Sequence, residues 1–462
     1  MDIPDCFYPF QPTLVPPKLP TPRHFLYLSN LDDQKFLRFS IKYLYLYKKS
    51  VPVDALRSSL SRVLVDYYPF AGRVRRSEED PEKLQIECNG QGALFAEAFI
   101  NFSAEEFLQI CNRPNRSWRK LLYREEGQSF LDIPPLVVQV THLRCGAMII
   151  CTAINHCLAD GIGTSQFLHA WAHMTAEPDA TALPVGPFHS REILRPRGTS
   201  LKITKHHPEF GLSGVPNGRT HGGLVDPAID PVVPTSFTFA PWQILQMKKG
   251  CVPSLKYCTS FEALASHVWR AWVRALDPPA LQRVKLLFSV NVRGRLRPEL
   301  PAGYYGNGFV LGCAEATARE VARGSVRRGV ERVQEAKRSL DDDHVRSAID
   351  LLEARRGWPD LAATLVISQW ARLGLEDVDF GEGRPLHMGP LASEIYCLFL
   401  PVAGSPEAIT VLVSVPERVA EKFDACMSDF SAGGGESERG DLIGNGNVVV
   451  VHGLERHHDV ER

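Results

Sequence analysis

Residues 134–156, PPLVVQVTHLRCGAMIICTAINH, restrict the fold more than any other stretch. Two apolar arms flank a turn at Arg144–Gly146, the pattern of a β-hairpin. The second arm runs directly into His156. Ile162, Phe167, Leu168 and Trp171 then recur at helical spacing. A hairpin handed straight to a helix is a mixed α/β unit, and strands and helices alternate in the same way along both halves of the chain.

In the first half, FSIKYLYLY (39–47) alternates Tyr43, Tyr45 and Tyr47 and predicts a strand. Leu56, Leu60, Val63 and Leu64 form one helical face that stops before Pro69. KLQIECN reads as a short strand. In the second half, TSFTFA, RVKLLFSVNVRGR, ATLVISQW, YCLFLPV and AITVLVSVP read as strands. WQILQMKKG reads as a helix, and SFEALASHVWRAWVRAL as another, with Thr259 or Ser260 as N-cap and Glu262 as capping-box partner. The charged stretch from Glu315 to Arg355 is helical.

At 462 residues the chain is too long for one ordinary core. The expected division is an N-terminal domain over 1–176, an interdomain crossover over 177–232, a C-terminal domain over 233–430 and a disordered Gly- and Ser-rich tail over 431–462. The fold class is α/β, with two domains.

Composition narrows the function. A formal charge of -1 and no basic stripe argue against nucleic acid. No apolar run reaches the length of a membrane span. The start, MDIPDCFYPF, lacks a basic segment followed by an apolar one, so a cytoplasmic chain is expected. The 11 cysteines form no CxxC pair, so buried reduced thiols are expected and no metal site.

HCLADG (156–161) carries the chemistry. Of 15 histidines only His156 has an aspartate four residues on. Composition predicts about 0.06 matches to H-x-x-x-D-G, so chance explains it poorly. A neutral imidazole at a strand end can take a proton from a hydroxyl or an amine. Asp160 either orients that imidazole or pairs elsewhere and shapes the turn, and Gly161 permits a tight bend. The bland alternative is a satisfied core histidine beside an N-capping aspartate, about equally weighted on the motif alone. There is no G-x-S-x-G elbow, and Cys157 would face away from His156 on a strand end. Direct attack by an external nucleophile, with no covalent enzyme intermediate, is therefore favoured.

The sequence resembles the plant BAHD acyltransferases, which move acyl groups from coenzyme A to alcohols or amines. The resemblance covers about residues 10 to 430. It rests on the order of LSNLD (28–32), YYPFAGR (67–73), HCLADG, SFEALASHVWR (260–270), NVRGRLRPELPAGYYGN (291–307) and ISQWARL followed by DFGEGRP (367–385). It implies two similar chloramphenicol-acetyltransferase-like α/β domains with a solvent channel between them. His156 would be the general base at mid-channel, and Trp370 would turn its indole N–H to the oxyanion. Asp160, with Gly161 beside it, would be structural and pair with Arg293. Asp379, Phe380 and Gly381 would form a distant structural element.

The same resemblance puts Lys256, Ser260 and Asn307 on the coenzyme A side, Ser40 and Ile41 near the acceptor, and Ser368 among the substrate contacts. A surface lysine and a turn asparagine are the bland readings of Lys256 and Asn307. Two departures stand out: Glu382 replaces the tryptophan of D-F-G-W-G, and Asn291 stands where aspartate is common.

The expected activity is acyl-CoA-dependent O-acylation by a monomer without a cofactor, acyl-CoA being a co-substrate. The start PTLVPPKLPTP with LYLSNLD resembles members that pass hydroxycinnamoyl groups, such as feruloyl, to ω-hydroxy fatty acids or fatty alcohols of cutin, suberin or pollen wall. Acetyl, malonyl or benzoyl donors and phenolic, shikimate-type or amine acceptors are the alternatives. A non-catalytic accessory factor in very-long-chain lipid elongation is another. A peptide-synthetase condensation domain would carry a second histidine where Asn155 stands.

Overall fold

The computed structural model describes residues 2–111, 114–124, 129–198, 201–210, 230–252, 254–391 and 397–429. The tail expected to be disordered, including VVVV at 448–451, and much of the crossover lie outside the described residues.

The described strands, numbered in chain order, form two six-stranded sheets and one three-stranded sheet. The first large sheet runs in the spatial order β1 (Thr13–Val15), β6 (Ala93–Ile100), β7 (Leu136–Leu143), β8 (Met148–Asn155), β3 (Ser40–Tyr47), β13 (His387–Pro390). The second runs β11 (Phe309–Thr317), β10 (Arg283–Asn291), β12 (Thr364–Gln369), β14 (Cys397–Val402), β15 (Ser405–Pro416), β9 (Val232–Phe239). The small sheet joins β2 (His24–Tyr27), β5 (Leu84–Cys88) and β4 (Arg73–Arg76).

The hairpin is β7 and β8, antiparallel from Leu136↔Ile154 to His142↔Met148. All eight residues of β8 are buried, as a strand needs when both sheet faces are covered. Its neighbour β3 shows how: Tyr43, Tyr45 and Tyr47 enter one apolar cluster, while Leu44 and Leu46 enter another on the opposite face. The helix Gly161–Ala176 covers the tyrosine face with Phe167, Leu168 and Trp171. The second sheet is backed by the helix Ser260–Leu276, opened by the capping box of Thr259 and Glu262.

The chain does not divide as cleanly as expected. β13 lies within the expected C-terminal domain, yet it pairs with β3 in the first sheet, Gly389 opposite Leu44. Four residues containing Gly and Pro carry no strand signal of their own. The sheet edge is where such a strand is tolerated, since Pro390 lacks an N–H to donate.

The crossover is also more tightly held than a structureless linker. The Ser347 hydroxyl oxygen accepts the backbone N–H groups of Thr204 and Lys205, at 3.0 and 3.1 Å. Its own hydrogen therefore goes to His207 Nε2, 2.9 Å away. That fixes the other ring nitrogen as a donor to Glu209 Oε1 at 2.9 Å. Buried His344 stands beside them. His, Glu and His are metal-ligand types. Through the hydrogen bonds of His207 and Ser347 the cluster latches the crossover to the helix Asp342–Arg355.

Candidate active site

A cavity of about 650 Å³ lies where the two large sheets approach. Ser40, Ile41, His156 and Gly161 line it from the first, and Ser260, Asn291, Phe309, Ser368 and Trp370 from the second.

His156 follows the last residue of β8. Its backbone N–H donates to Phe39 at 2.9 Å, and its carbonyl accepts from Asn307 Nδ2 at 2.7 Å. The ring packs against Phe39 and Phe309, with centroids 5.4 and 6.0 Å away. Nδ1 is buried without a hydrogen-bond partner among the described residues, so the edge that meets the cavity is Nε2. Burial pushes the imidazole below its usual value of 6.5, against the pull of the Asp160 and Asp32 carboxylates and Asn307. A neutral imidazole results at pH 7, able to accept a proton.

Asp160 turns away from that ring. Oδ1 accepts the Gly163 N–H at 2.9 Å and caps the helix. Its two oxygens take Arg293 Nη1 and Nη2 at 2.8 and 2.9 Å, and Oδ2 also takes the Gly308 N–H at 3.0 Å. The carboxylate is filled by these four donors. Gly163 permits the approach: a Cβ there would lie 1.7 Å from the Tyr305 carbonyl oxygen. Arg293 in turn holds the Tyr304 and Gly306 carbonyls, at 3.2 and 2.7 Å. Asn291 Oδ1 accepts the Arg293 backbone N–H at 3.1 Å, so an amide suffices at that position.

Asn307 does not line the cavity. It is fully buried, and besides His156 it donates its backbone N–H and Nδ2 to Asp32 Oδ1, at 2.8 and 3.1 Å. Its Nδ2 is taken up by protein partners while Oδ1 is buried without one among the described residues, and with no face on the cavity it is left a positioning role. Asp32 and Arg191 complete this layer, and sequence reasoning gave neither of them a role. Arg191 comes from the crossover, is fully buried between Tyr304 and Tyr305 (4.9 and 4.3 Å from the ring centres), and donates to the Leu158 carbonyl at 3.0 Å. Its guanidinium lies over Gly306, where a Cβ would meet Nη1 at 2.2 Å. LSNLD in the family resemblance was the available signal for Asp32; Arg191, one of three arginines in the stretch SREILRPRG of a crossover without periodicity, offered none.

Trp370 lies against Tyr43, with centroids 4.7 Å apart, and its backbone N–H donates to Phe399 at 2.8 Å. Its indole N–H has no hydrogen-bond partner among the described residues. Ser260 is the first residue of its helix and lines the cavity. Lys256 is exposed and is not among the lining residues.

Asp379, Phe380 and Gly381 lie outside the cavity lining. Asp379 Oδ1 accepts the N–H groups of Gly381 and Gly383 at 2.8 and 2.9 Å, closing a tight loop. Phe380 packs on Trp171 and Tyr47, at 4.8 and 5.8 Å. Glu382 turns outward and meets Lys49 at 3.2 Å, which is how the loop tolerates a carboxylate.

A family model described as Transferase family matches residues 10–430. Fatty alcohol:caffeoyl-CoA acyltransferase of Arabidopsis thaliana is 36% identical over 90% of this chain and 97% of its own. Omega-hydroxypalmitate O-feruloyl transferase of the same plant is 34% identical, over 89% and 91%. The solved structure of vinorine synthase superposes with a TM-score of 0.70 at 20% identity, covering 89% of this chain and 95% of that one, and so shares the fold.

Proposed function

The chain belongs to the BAHD transferase family and is an acyltransferase, and from that premise we propose that it carries a hydroxycinnamoyl group from coenzyme A to the hydroxyl of a long-chain ω-hydroxy fatty acid or fatty alcohol. The observation that carries the catalytic part is His156, neutral through burial, with its Nε2 edge open to a cavity lined from both sheets. The substrate part draws on the relatives, whose names give a fatty alcohol with caffeoyl-CoA and ω-hydroxypalmitate with a feruloyl group.

In the proposed reaction His156 Nε2 takes the acceptor's hydroxyl proton as the oxygen attacks the thioester carbonyl carbon. The carbonyl electron pair moves to oxygen, and the Trp370 indole N–H donates to that oxyanion. The tetrahedral intermediate collapses, the C–S bond breaks, and the thiolate takes the proton back from His156. Ser260 and Lys256 serve the coenzyme A phosphates, with Ser260 adding a helix-start N–H. Ser368 contacts the acyl group, and Ser40 and Ile41 contact the acceptor. Asp160 and Arg293 fix the backbone on which His156 stands.

The test is a panel of acyl-CoAs against acceptors of increasing chain length, read by thiol release. Each methylene buried in an apolar site contributes about 0.8 kcal/mol. Catalytic efficiency is expected to rise several-fold per pair of carbons until the chain leaves the cavity. Equal rates with butanol and hexadecanol, or preference for shikimate, quinate or spermidine, would move the enzyme to another substrate class within the family. Absence of turnover with every acyl-CoA would favour the accessory-factor reading.

A further inference from the structure

The helix Pro241–Lys249 packs Ile244 and Met247 against the second sheet's core. Its opposite side is apolar as well. Trp242 is 58% exposed and Leu245 48%. Their spacing continues through Lys249 to Val252, also 48% exposed, because the Cys251 and Val252 N–H groups bond back to Lys248 and Lys249 and prolong the helical turn. Positions 242, 245, 249 and 252 thus form one stripe.

Lys249 lies within that stripe and Lys248 beside it, and neither has a carboxylate within ion-pair distance among the described residues. From Asp230 to Glu262 the sequence holds no acidic residue in between. Exposed Trp and Leu beside uncompensated lysines have the character of a surface that lies in the plane of an anionic bilayer, with the rings and aliphatic chains at headgroup depth and the ammonium groups against the phosphates. The same segment runs on to Thr259 and Ser260, which line the cavity. No helix of the described chain is long and apolar enough to cross a membrane, so the attachment is to the surface.

We propose that the stripe Trp242–Leu245–Lys249–Val252, with Lys248, docks the enzyme reversibly on an anionic lipid surface, bringing the cavity to the plane into which amphiphilic substrates partition. Attachment through one short stripe is weak and depends on salt.

Co-sedimentation of the full chain with phosphatidylcholine vesicles, with and without phosphatidylserine, tests this. Binding is expected only with phosphatidylserine present. It should be lost as salt approaches about 1 M, where the screening length is about 3 Å. Lys248→Ser with Lys249→Ser should weaken binding roughly 25-fold, about fivefold for each lysine. Trp242→Ser with Leu245→Ser should weaken it at least as much. All four side chains are removed from the protein's surface, so melting temperature and turnover of a soluble short-chain alcohol should hold. No binding to the anionic vesicles at low salt would overturn the proposal, as would equal binding to neutral ones. A raised KM for acyl-CoA in the lysine variant, with vesicle binding unchanged, would also overturn it and assign the lysines to the coenzyme A phosphates. Vesicle binding is read without turnover, so its failure is separable from failure of the acyltransferase assignment.

Discussion

Asn307 holds the main chain of His156: its Nδ2 donates to the His156 carbonyl at 2.7 Å across 151 residues of sequence. The same side chain donates to Asp32, so one amide joins three segments. Asn307→Leu keeps the volume but leaves a buried carbonyl and a buried carboxylate short of donors. A stability loss of about 1–3 kcal/mol is expected. As a positioning residue it should lower kcat by up to about 10²-fold while the KM for acyl-CoA holds. Thermal unfolding and steady-state kinetics measure both, and unchanged kcat in a folded variant would remove the positioning role.

His156→Ala removes the proposed base. Turnover should fall by at least roughly 10²–10⁴-fold while the fold and acyl-CoA binding persist. Thiol release on a variant with a wild-type melting curve is the measurement. Near wild-type turnover would sink the mechanism.

The pH profile follows from the direction of the His156 shift. Burial lowers its pKa below 6.5, so the neutral base is already the main form at pH 6.5 and above. The acid limb of kcat/KM should therefore fall below pH 6.5, with a plateau through neutrality. Stability has the same sign. The unfolded chain binds more protons here between the lowered pKa and 6.5, so this contribution is present above 6.5 and is lost as pH falls. An acid limb centred above pH 7 would contradict this account of the site.

Asp160 and Arg293 are mutually dependent. Removing either leaves a partly or fully buried charge without its partner, and a cost of about 3–5 kcal/mol is typical of such sites. Asp160→Ala and Arg293→Ala should each lower the melting temperature, and the double variant should lose less than the sum. Activity abolished in Asp160→Asn at full stability would instead make Asp160 part of the chemistry.

Trp370→Phe keeps an aromatic ring against Tyr43 and deletes the indole N–H. Loss of one oxyanion donor costs roughly 10²–10³-fold in kcat. Stopped-flow single turnover should show the loss in the chemical step, with acyl-CoA affinity retained. A variant at wild-type kcat would take Trp370 out of the catalytic set.

Local pattern carried much of the fold. The hairpin, the helix after HCLADG, the capping box at Thr259 and Glu262 and the five C-terminal strand runs read from the sequence coincide with β7, β8, Gly161–Ala176, Ser260–Leu276 and five of the six strands of the second sheet; β11 was missed, its last residues falling in the stretch from Glu315 read as helical. These depend on side-chain periodicity and on polar atoms three or four residues away, which neighbouring residues determine among themselves. His156 was legible for the same reason, since a strand end, an imidazole, an N-capping aspartate and a glycine are contiguous.

Tertiary structure decided most of what surrounds it. Asn307 meets Asp32 across 275 residues, and Asp160 meets Arg293 across 133, a pair that the family resemblance implied and no local pattern did. Arg191 enters from a crossover without periodicity, and β13 returns to the first sheet. Local pattern does not encode which distant donor meets a carboxylate, or whether an asparagine faces a cavity or bonds inside the protein. That depends on which groups remain unpaired once the sheets have packed, because a buried polar group must find its partner wherever in the chain that partner lies.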